Sequence, residues 1–399
     1  MTEKISPVRS RSTGIVLGRL FGIEIRLDMS VLIIFLLVAF SLGQGLFPSW
    51  HPDWGAVITW ACAIGAALVF FLSLLLHELS HSLVARTQGI DVPRITLFLF
   101  GGMAEMASEP RTPRAEFLVA IVGPLASLAL ALLFGTIGSW LTPAGFAELL
   151  LSEPEQAMSA LGPVATVCVW LAPVNLALAI FNLVPGFPLD GGRVLRAFLW
   201  WLTGDLLRAT RLASISGRVF AGALMVLGVL NLIWGRAVEG IWFLVIGWFL
   251  GHVAETSYQQ LLLRSALRGL LVGDLMRTHF ETTNRDERLD DFIETQLLRS
   301  SQALWPVVAG NELVGYIAQT DIVRRAEADR VRMTVGDVMR PATEIAGLSP
   351  QLTGPEAFER LAQNAEEPLP VIDHGVVVGL VHAADIFRYL AMHRMRLTP

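Results

Sequence analysis

The chain reads as a polytopic all-α membrane domain of about six transmembrane helices followed by a soluble α/β domain built from two repeats. Three observations predict this. Of 399 residues, 53% are hydrophobic and only 16% charged, with a mean hydropathy of +0.57, too apolar for one ordinary soluble domain. The hydrophobicity is concentrated before about residue 255, and a normally charged mixture follows. Beyond residue 271 the sequence repeats itself. These features divide the chain into a cytoplasmic segment (1–28), a membrane domain (29–255), a linker (256–271) and repeats over 272–330 and 335–395.

Residues 29–47 form the first uncharged apolar run and 55–76 the second, each long enough to span a bilayer. The runs 117–147 and 157–189 each hold one span plus irregular chain, and 214–234 with 238–254 reads as a hairpin of two spans. The first fourteen residues lack the pattern of a secretory signal, so the run beginning at Met29 is taken as a retained span. Lys4, Arg9, Arg11, Arg19 and Arg26 precede the first span. Arg86, Arg94, Arg111 and Arg114 follow the second, and Arg193, Arg196, Arg208 and Arg211 follow the fourth. The loops 48–54 and 142–156 carry only acidic charges. This bias puts both termini in the cytoplasm of a multi-pass protein, as in a bacterial or archaeal inner membrane, with Arg236 alone on the wrong side.

The second span runs into His77-Glu78-Leu79-Ser80-His81. On a helix, residues four apart share a face, so both imidazoles can grip one metal ion. Glu78 sits one step round, where a carboxylate can take a proton from an attacking water. With Arg86 at the interface, His77 lies about 14 Å into the membrane at 1.5 Å per residue. Ionisable side chains at that depth cost roughly 2.5–3.5 kcal/mol each even on lenient scales, which marks a functional site. Ser80 and Ser82 have no accompanying base and orienter for nucleophilic catalysis.

A catalytic zinc takes three protein ligands and keeps a position for water. Cys62 and Cys168 lie within apolar runs, so no Cys-rich zinc site or disulfide framework is available. Of the eight histidines, His51 falls in an outer loop and 279, 374, 382 and 393 in the tail. His252 is left, with nothing local to bend the chain towards the motif. A carboxylate is the better candidate, and Asp190 stands out because it ends a long uncharged run three residues before Arg193. Two prolines and three glycines around it break the helix, which membrane depth tolerates only beside protein or a water-filled cavity. Asn182, eight residues earlier, offers an amide to a developing oxyanion. Glu105 fits a structural or interfacial role better than ligation.

Together, His77-Glu78-x-x-His81 and Asn182-x-x-Pro185-x4-Asp190-Gly191 resemble the site-2 protease family of intramembrane zinc metalloproteases. Gly123-Pro124-Leu-Ala-Ser127 and Leu97-Phe-Leu-Phe-Gly101-Gly102 match further family features over about residues 14–255. The resemblance implies one zinc per chain held by His77, His81 and Asp190, with Glu78 as general base. It also implies a small membrane-embedded β element at Gly101 and Gly102 that borders the substrate cleft and pairs with an unwound substrate. No insert is large enough for a PDZ domain, as in the compact sporulation-type branch.

In the tail, Val272-Gly-Asp-Leu-Met-Arg277 recurs as Val335-Gly-Asp-Val-Met-Arg340, an offset of 63 (335 − 272), while Gly315 and Asp321 recur as Gly379 and Asp385 at 64. Each copy alternates short β-type and helical runs. The pattern resembles paired CBS domains, which implies an adenine nucleotide (ATP, ADP or AMP) as regulatory ligand, bound through Thr320, Asp321 and Asp385. Copy two has Ala384 in place of the threonine, which favours the Thr320–Asp321 cleft. Helix capping by the two aspartates, or a homodimer through the CBS pair without ligand, are the plainer readings.

The net charge of −5 argues against nucleic acid as partner. The sequence is therefore read as an intramembrane zinc endopeptidase that cleaves a membrane-spanning or membrane-associated protein within the lipid bilayer. A CBS-regulated metal transporter using the same His/Asp site is the alternative. Glu78 separates the two, because a transport site needs no base beside its first histidine.

Overall fold

The computed structural model describes residues 14–99, 101–267, 269–310, 312–323, 332–344, 347–363 and 367–389. Of the residues discussed above, Lys4, Arg9, Arg11, Phe100 and His393 lie outside them. The chain divides into two compact units, Met1–Gln259 and Gln260–Pro399.

Among the described residues, six helical stretches are long and apolar enough to cross a membrane: Ser30–Trp50, Ala56–Thr87, Pro113–Leu141, Pro163–Asn182 and Leu206–Ile233 in the first unit, and Ala237–Leu267, which begins in it and ends beyond its boundary. The first comprises α1 (Ser30–Phe40), a π-helical turn (Ser41–Leu46) and α2 (Phe47–Trp50). The second is α3 (Ala56–Thr87), unbroken through the histidine motif. Strands β1 (Gly14–Leu20) and β2 (Ile23–Asp28) precede α1, and β3 (Arg94–Phe98) and β4 (Gly101–Glu105) follow α3. After them come α4 (Pro113–Leu141), short helices α5 (Phe146–Ser152) and α6 (Pro154–Ser159), α7 (Pro163–Asn182), α8 (Asp190–Thr203), α9 (Leu206–Ile233) and α10 (Ala237–Leu267).

Several helix ends lie outside the apolar runs, because hydropathy reports the oily stretch while the backbone continues to the next cap. Thr112 caps α4 by accepting from Ala115 N, with Pro113 in the first turn where its missing N–H costs nothing. Gly204 ends α8 in the left-handed region, and Asp205 then accepts from the amides of Leu207 and Arg208 to start α9. As a result α9 takes in Arg208 and Arg211 ahead of its apolar core.

The β element is larger than expected. It is a four-stranded sheet in the order β1-β2-β3-β4, with β1/β2 and β3/β4 antiparallel and β2/β3 parallel. The stretch before the first span thus contributes two strands, and Ile23 and Ile25 are buried with Leu74, Leu79, Ile95 and Leu97 of α3 and β3. This packing seats the sheet beside the histidine motif.

In the second unit, β5 (Thr283–Asn284), β6 (Leu304–Ala309), β7 (Glu312–Ala318) and β8 (Arg340–Pro341) form one sheet, and β9 (Leu369–Asp373) with β10 (Val376–Val381) a second. The two copies exchange their openings. Val272 and Leu275 lie in a core with Leu369, Val371 and Val381, whereas Val335 and Val338 lie in one with Trp305, Val307 and Ile317. The repeated Val-Gly-Asp has a capping role, since Asp274 accepts from Leu271 N at 2.9 Å and Asp337 from Thr334 N at 2.8 Å.

Candidate metal centre in the membrane domain

His77 and His81 project from the last turns of α3, both buried. Asp190 opens α8, where a carboxylate also suits the positive end of the helix. Its Oδ2 lies 3.1 Å from Nε2 of each histidine, and the two Nε2 atoms are 3.2 Å apart. A tetrahedral zinc with bonds of about 2.0–2.1 Å needs ligand atoms about 3.3 Å apart, so this triangle fits one.

The far ring nitrogens support the same fit. His81 Nδ1 donates to the Val119 carbonyl at 2.6 Å; a carbonyl only accepts, so the His81 proton sits on Nδ1 and Nε2 keeps its lone pair. His77 Nδ1 bonds Ser127 Oγ at 2.8 Å. Both anchors lie on α4, as does Gly123, where a Cβ would fall 2.1 Å from His81 Nε2 and 2.8 Å from His77 Nε2. Only a glycine lets α4 lie against the two rings. Val119 and the Gly123-to-Ser127 segment thus support both rings directly, a role that no motif in the sequence marks. The signal that could have found them is the spacing of 119, 123 and 127, which puts all three on one stripe of α4.

Glu78 faces a cavity of about 560 Å³ lined also by His77, His81, Asn182, Asp190 and residues of β4 and α10. A Cβ on Gly102 would lie 2.2 Å from Glu78 Cγ, so the glycine makes room for this side chain. Gly101 lines the same cavity on β4, the terminal strand of its sheet. Asn182 ends α7 half-buried at the cavity wall. After the break, Gly191 and Gly192 pass within 2.4 Å of backbone atoms of 183–187 by the same Cβ measure, which lets α8 start close to the loop.

The remaining candidates lie elsewhere or are engaged. Exposed His252 stacks on Trp248 and does not line the cavity. His51 is buried against Thr166 and Trp54. Glu105 pairs with Arg94 at 3.3 Å. Ser80 and Ser82 spend their hydroxyls on the carbonyls of His77 and Glu78.

In the second unit, Asp321 accepts from Ala318 N at 2.9 Å and Arg340 Nε at 3.1 Å, while Thr320 Oγ1 donates to Glu367. Asp385 accepts from Arg277 and lines a cavity of about 630 Å³ with His279, Ser300, Ser301 and His382.

A membrane-spanning helical domain with a buried two-histidine, one-carboxylate donor set and an adjacent glutamate defines the class of membrane-embedded metalloproteases. Known proteins agree. The profile of Peptidase family M50 matches residues 65–227, and that of the CBS domain matches 272–328 and 335–392. A Mycobacterium tuberculosis protein named as zinc metalloprotease Rip3 is 34% identical over 381 residues, 95% of this chain and 93% of its own. A Synechocystis protein named as zinc metalloprotease sll0528 is 32% identical over 376 residues, 94% of each chain. The solved site-2 protease from Methanocaldococcus jannaschii aligns at 26% identity and a TM-score of 0.40, over 61% of this chain and 94% of that one. The chain belongs to peptidase family M50, the site-2 proteases, and carries a pair of CBS domains. It is a multi-pass zinc metalloprotease, and the transporter reading falls away.

Proposed function

We propose that His77, His81 and Asp190 hold the zinc, that Glu78 is the general base, and that the substrate is a membrane-spanning or membrane-associated protein cut within the bilayer. The convergence of three ligand atoms at 3.1–3.2 Å beside a glutamate carries this reading. When bound, zinc supplies Lewis acidity, polarising a carbonyl and making water acidic enough to be deprotonated near neutral pH. Glu78 takes that proton and passes it to the leaving amine. Val119 and Ser127 hold the two rings in place. Asn182 donates its amide to the oxyanion, and β4 at Gly101 and Gly102 receives an extended substrate segment along its outer edge. The apolar cavity wall, including Phe71, Leu74, Phe181 and Phe249, suits a substrate arriving from lipid.

The detergent-solubilised protein should retain zinc after Glu78→Gln, yet lose cleavage of a single-span substrate. Undiminished turnover in that variant would remove Glu78 from the mechanism. Both termini are assigned to the cytoplasm, and a periplasmic C-terminal reporter would overturn that orientation. An adenine nucleotide is proposed as regulator, bound in the cavity at Asp385. It modulates cleavage only by binding one state of the protein more tightly than another.

A further inference from the structure

Glu116 is the most deeply buried acidic residue of the membrane unit among the described residues, 1% exposed, and the zinc chemistry leaves it unused. It lies on α4, on the same stripe as Val119, Gly123 and Ser127, the three positions that support the histidine rings. Two guanidinium groups of α8 reach the same Glu116 oxygen: Arg193 Nε donates to Oε1 at 3.1 Å, and Arg196 Nη2 donates to it as well. Arg196 also lies over the Phe187 ring, 5.1 Å from its centroid, and so touches the loop that leads into Asp190.

Asp190, Arg193 and Arg196 follow one another at intervals of three on α8, within about 120° of arc at 3.6 residues per turn. Arg193 is therefore a helical neighbour of the Asp190 carboxylate and lies within its electrostatic reach, as well as that of Glu116. A guanidinium this buried, at 16% exposure, needs a carboxylate partner. Glu116 is hydrogen-bonded to it; Asp190, Glu109 and Glu78 also lie within its electrostatic reach, and of these Asp190 is needed for the metal.

We propose that Glu116 is a positioning residue of the metal centre: by engaging Arg193 and Arg196 it holds them off Asp190, leaving the Asp190 oxygen to the zinc, and it seats the first turns of α8 against the helix that orients both histidines. The inference rests on Asp190 being a zinc ligand. It predicts that losing the Glu116 charge frees Arg193 to pair with Asp190 in competition with the metal.

The test is zinc affinity by chelator competition on the full-length protein in detergent, with kcat and KM measured alongside and folding checked by monodispersity and thermal unfolding. Glu116→Gln should weaken zinc binding by about tenfold or more, the range seen when an outer partner of a ligand is removed, and lower kcat more than it raises KM. Glu116→Asp keeps the charge but withdraws it by one methylene and should give a smaller loss, about two- to fivefold, below that range. Adding Arg193→Gln to either variant removes the competitor and should bring zinc affinity back to within about threefold of wild type, well inside the same range. If Glu116→Gln does not fold, the Glu116→Asp pair decides. Wild-type zinc affinity in the folded Glu116 variants, or no recovery on adding Arg193→Gln, would overturn the proposal and leave Glu116 a packing element. Asp190→Ala is run in parallel: if it retains zinc fully, the ligand assignment itself fails, whereas loss of zinc there with intact affinity in the Glu116 variants overturns this inference alone.

Discussion

Gly123→Ala adds a single methyl at the tightest point of the metal centre. The new Cβ would stand 2.1 Å from His81 Nε2 and 2.8 Å from His77 Nε2, where ordinary contact begins at 3.4 Å. His81 Nε2 must therefore retreat by about 1.3 Å (3.4 − 2.1), and His77 Nε2 by about 0.6 Å (3.4 − 2.8), or α4 must back away from α3. Metal sites tolerate about ±0.2 Å in ligand distance, so either adjustment breaks the ligand triangle. Moving α4 would also draw Val119 and Ser127 away from the rings they anchor. Zinc affinity should fall by more than the roughly 10- to 100-fold lost when only an outer partner is removed, and proteolysis should disappear with it. Gly135→Ala on the same helix is the control, because its Cβ would meet only Ala172 Cβ at 3.9 Å. It should leave zinc unchanged and favour the helix by up to about 1 kcal/mol. Zinc measured by elemental analysis after chelator competition, with cleavage assayed on the same preparations, gives the answer. A Gly123→Ala protein with wild-type zinc affinity and activity would refute the geometry on which the centre is argued.

Three further outcomes are expected. Ser127→Ala removes the partner of His77 Nδ1 and should loosen zinc by about 10- to 100-fold without loss of fold, seen in the same competition assay. Gly102→Ala pushes a methyl into Glu78 Cγ, so zinc should be kept while kcat falls by about 10²-fold or more, the scale of a misplaced general base; equal kcat would show that Glu78 has another rotamer open to it. Calorimetry of the full chain with ATP, ADP and AMP should give binding that Asp385→Asn weakens more than Asp321→Asn; the reverse order would return the ligand to the Thr320–Asp321 cleft.

That last expectation departs from the sequence argument, and the reason is instructive. Thr320–Asp321 is the more complete motif, but a motif does not show what already occupies its hydroxyl. Copy two carries Glu367 at the position where copy one has Ala303, and the Glu367 carboxylate bonds both Thr320 and Arg340. Ala303 instead lines the cavity at Asp385.

The sequence alone was enough for the six-helix membrane domain, the metal-binding class of the site and the repeated tail. Charge is expensive in hydrocarbon, so an uncharged run long enough to span has few other uses, and a His-Glu-x-x-His within one announces chemistry. Periodicity on a single helix also brought His77, Glu78 and His81 together without any tertiary information. What tertiary structure decided is everything that depends on two helices meeting. Val119 stands 38 residues from His81 and Ser127 50 from His77, with Gly123 between them in sequence, Glu116 stands 77 residues from Arg193, and β1–β2 joins β3 across two spans. Each contributes a carbonyl, a missing Cβ, a hydroxyl or a paired backbone. Such groups carry no signature of their own in a sequence and acquire a role only when packing sets another helix or strand against them.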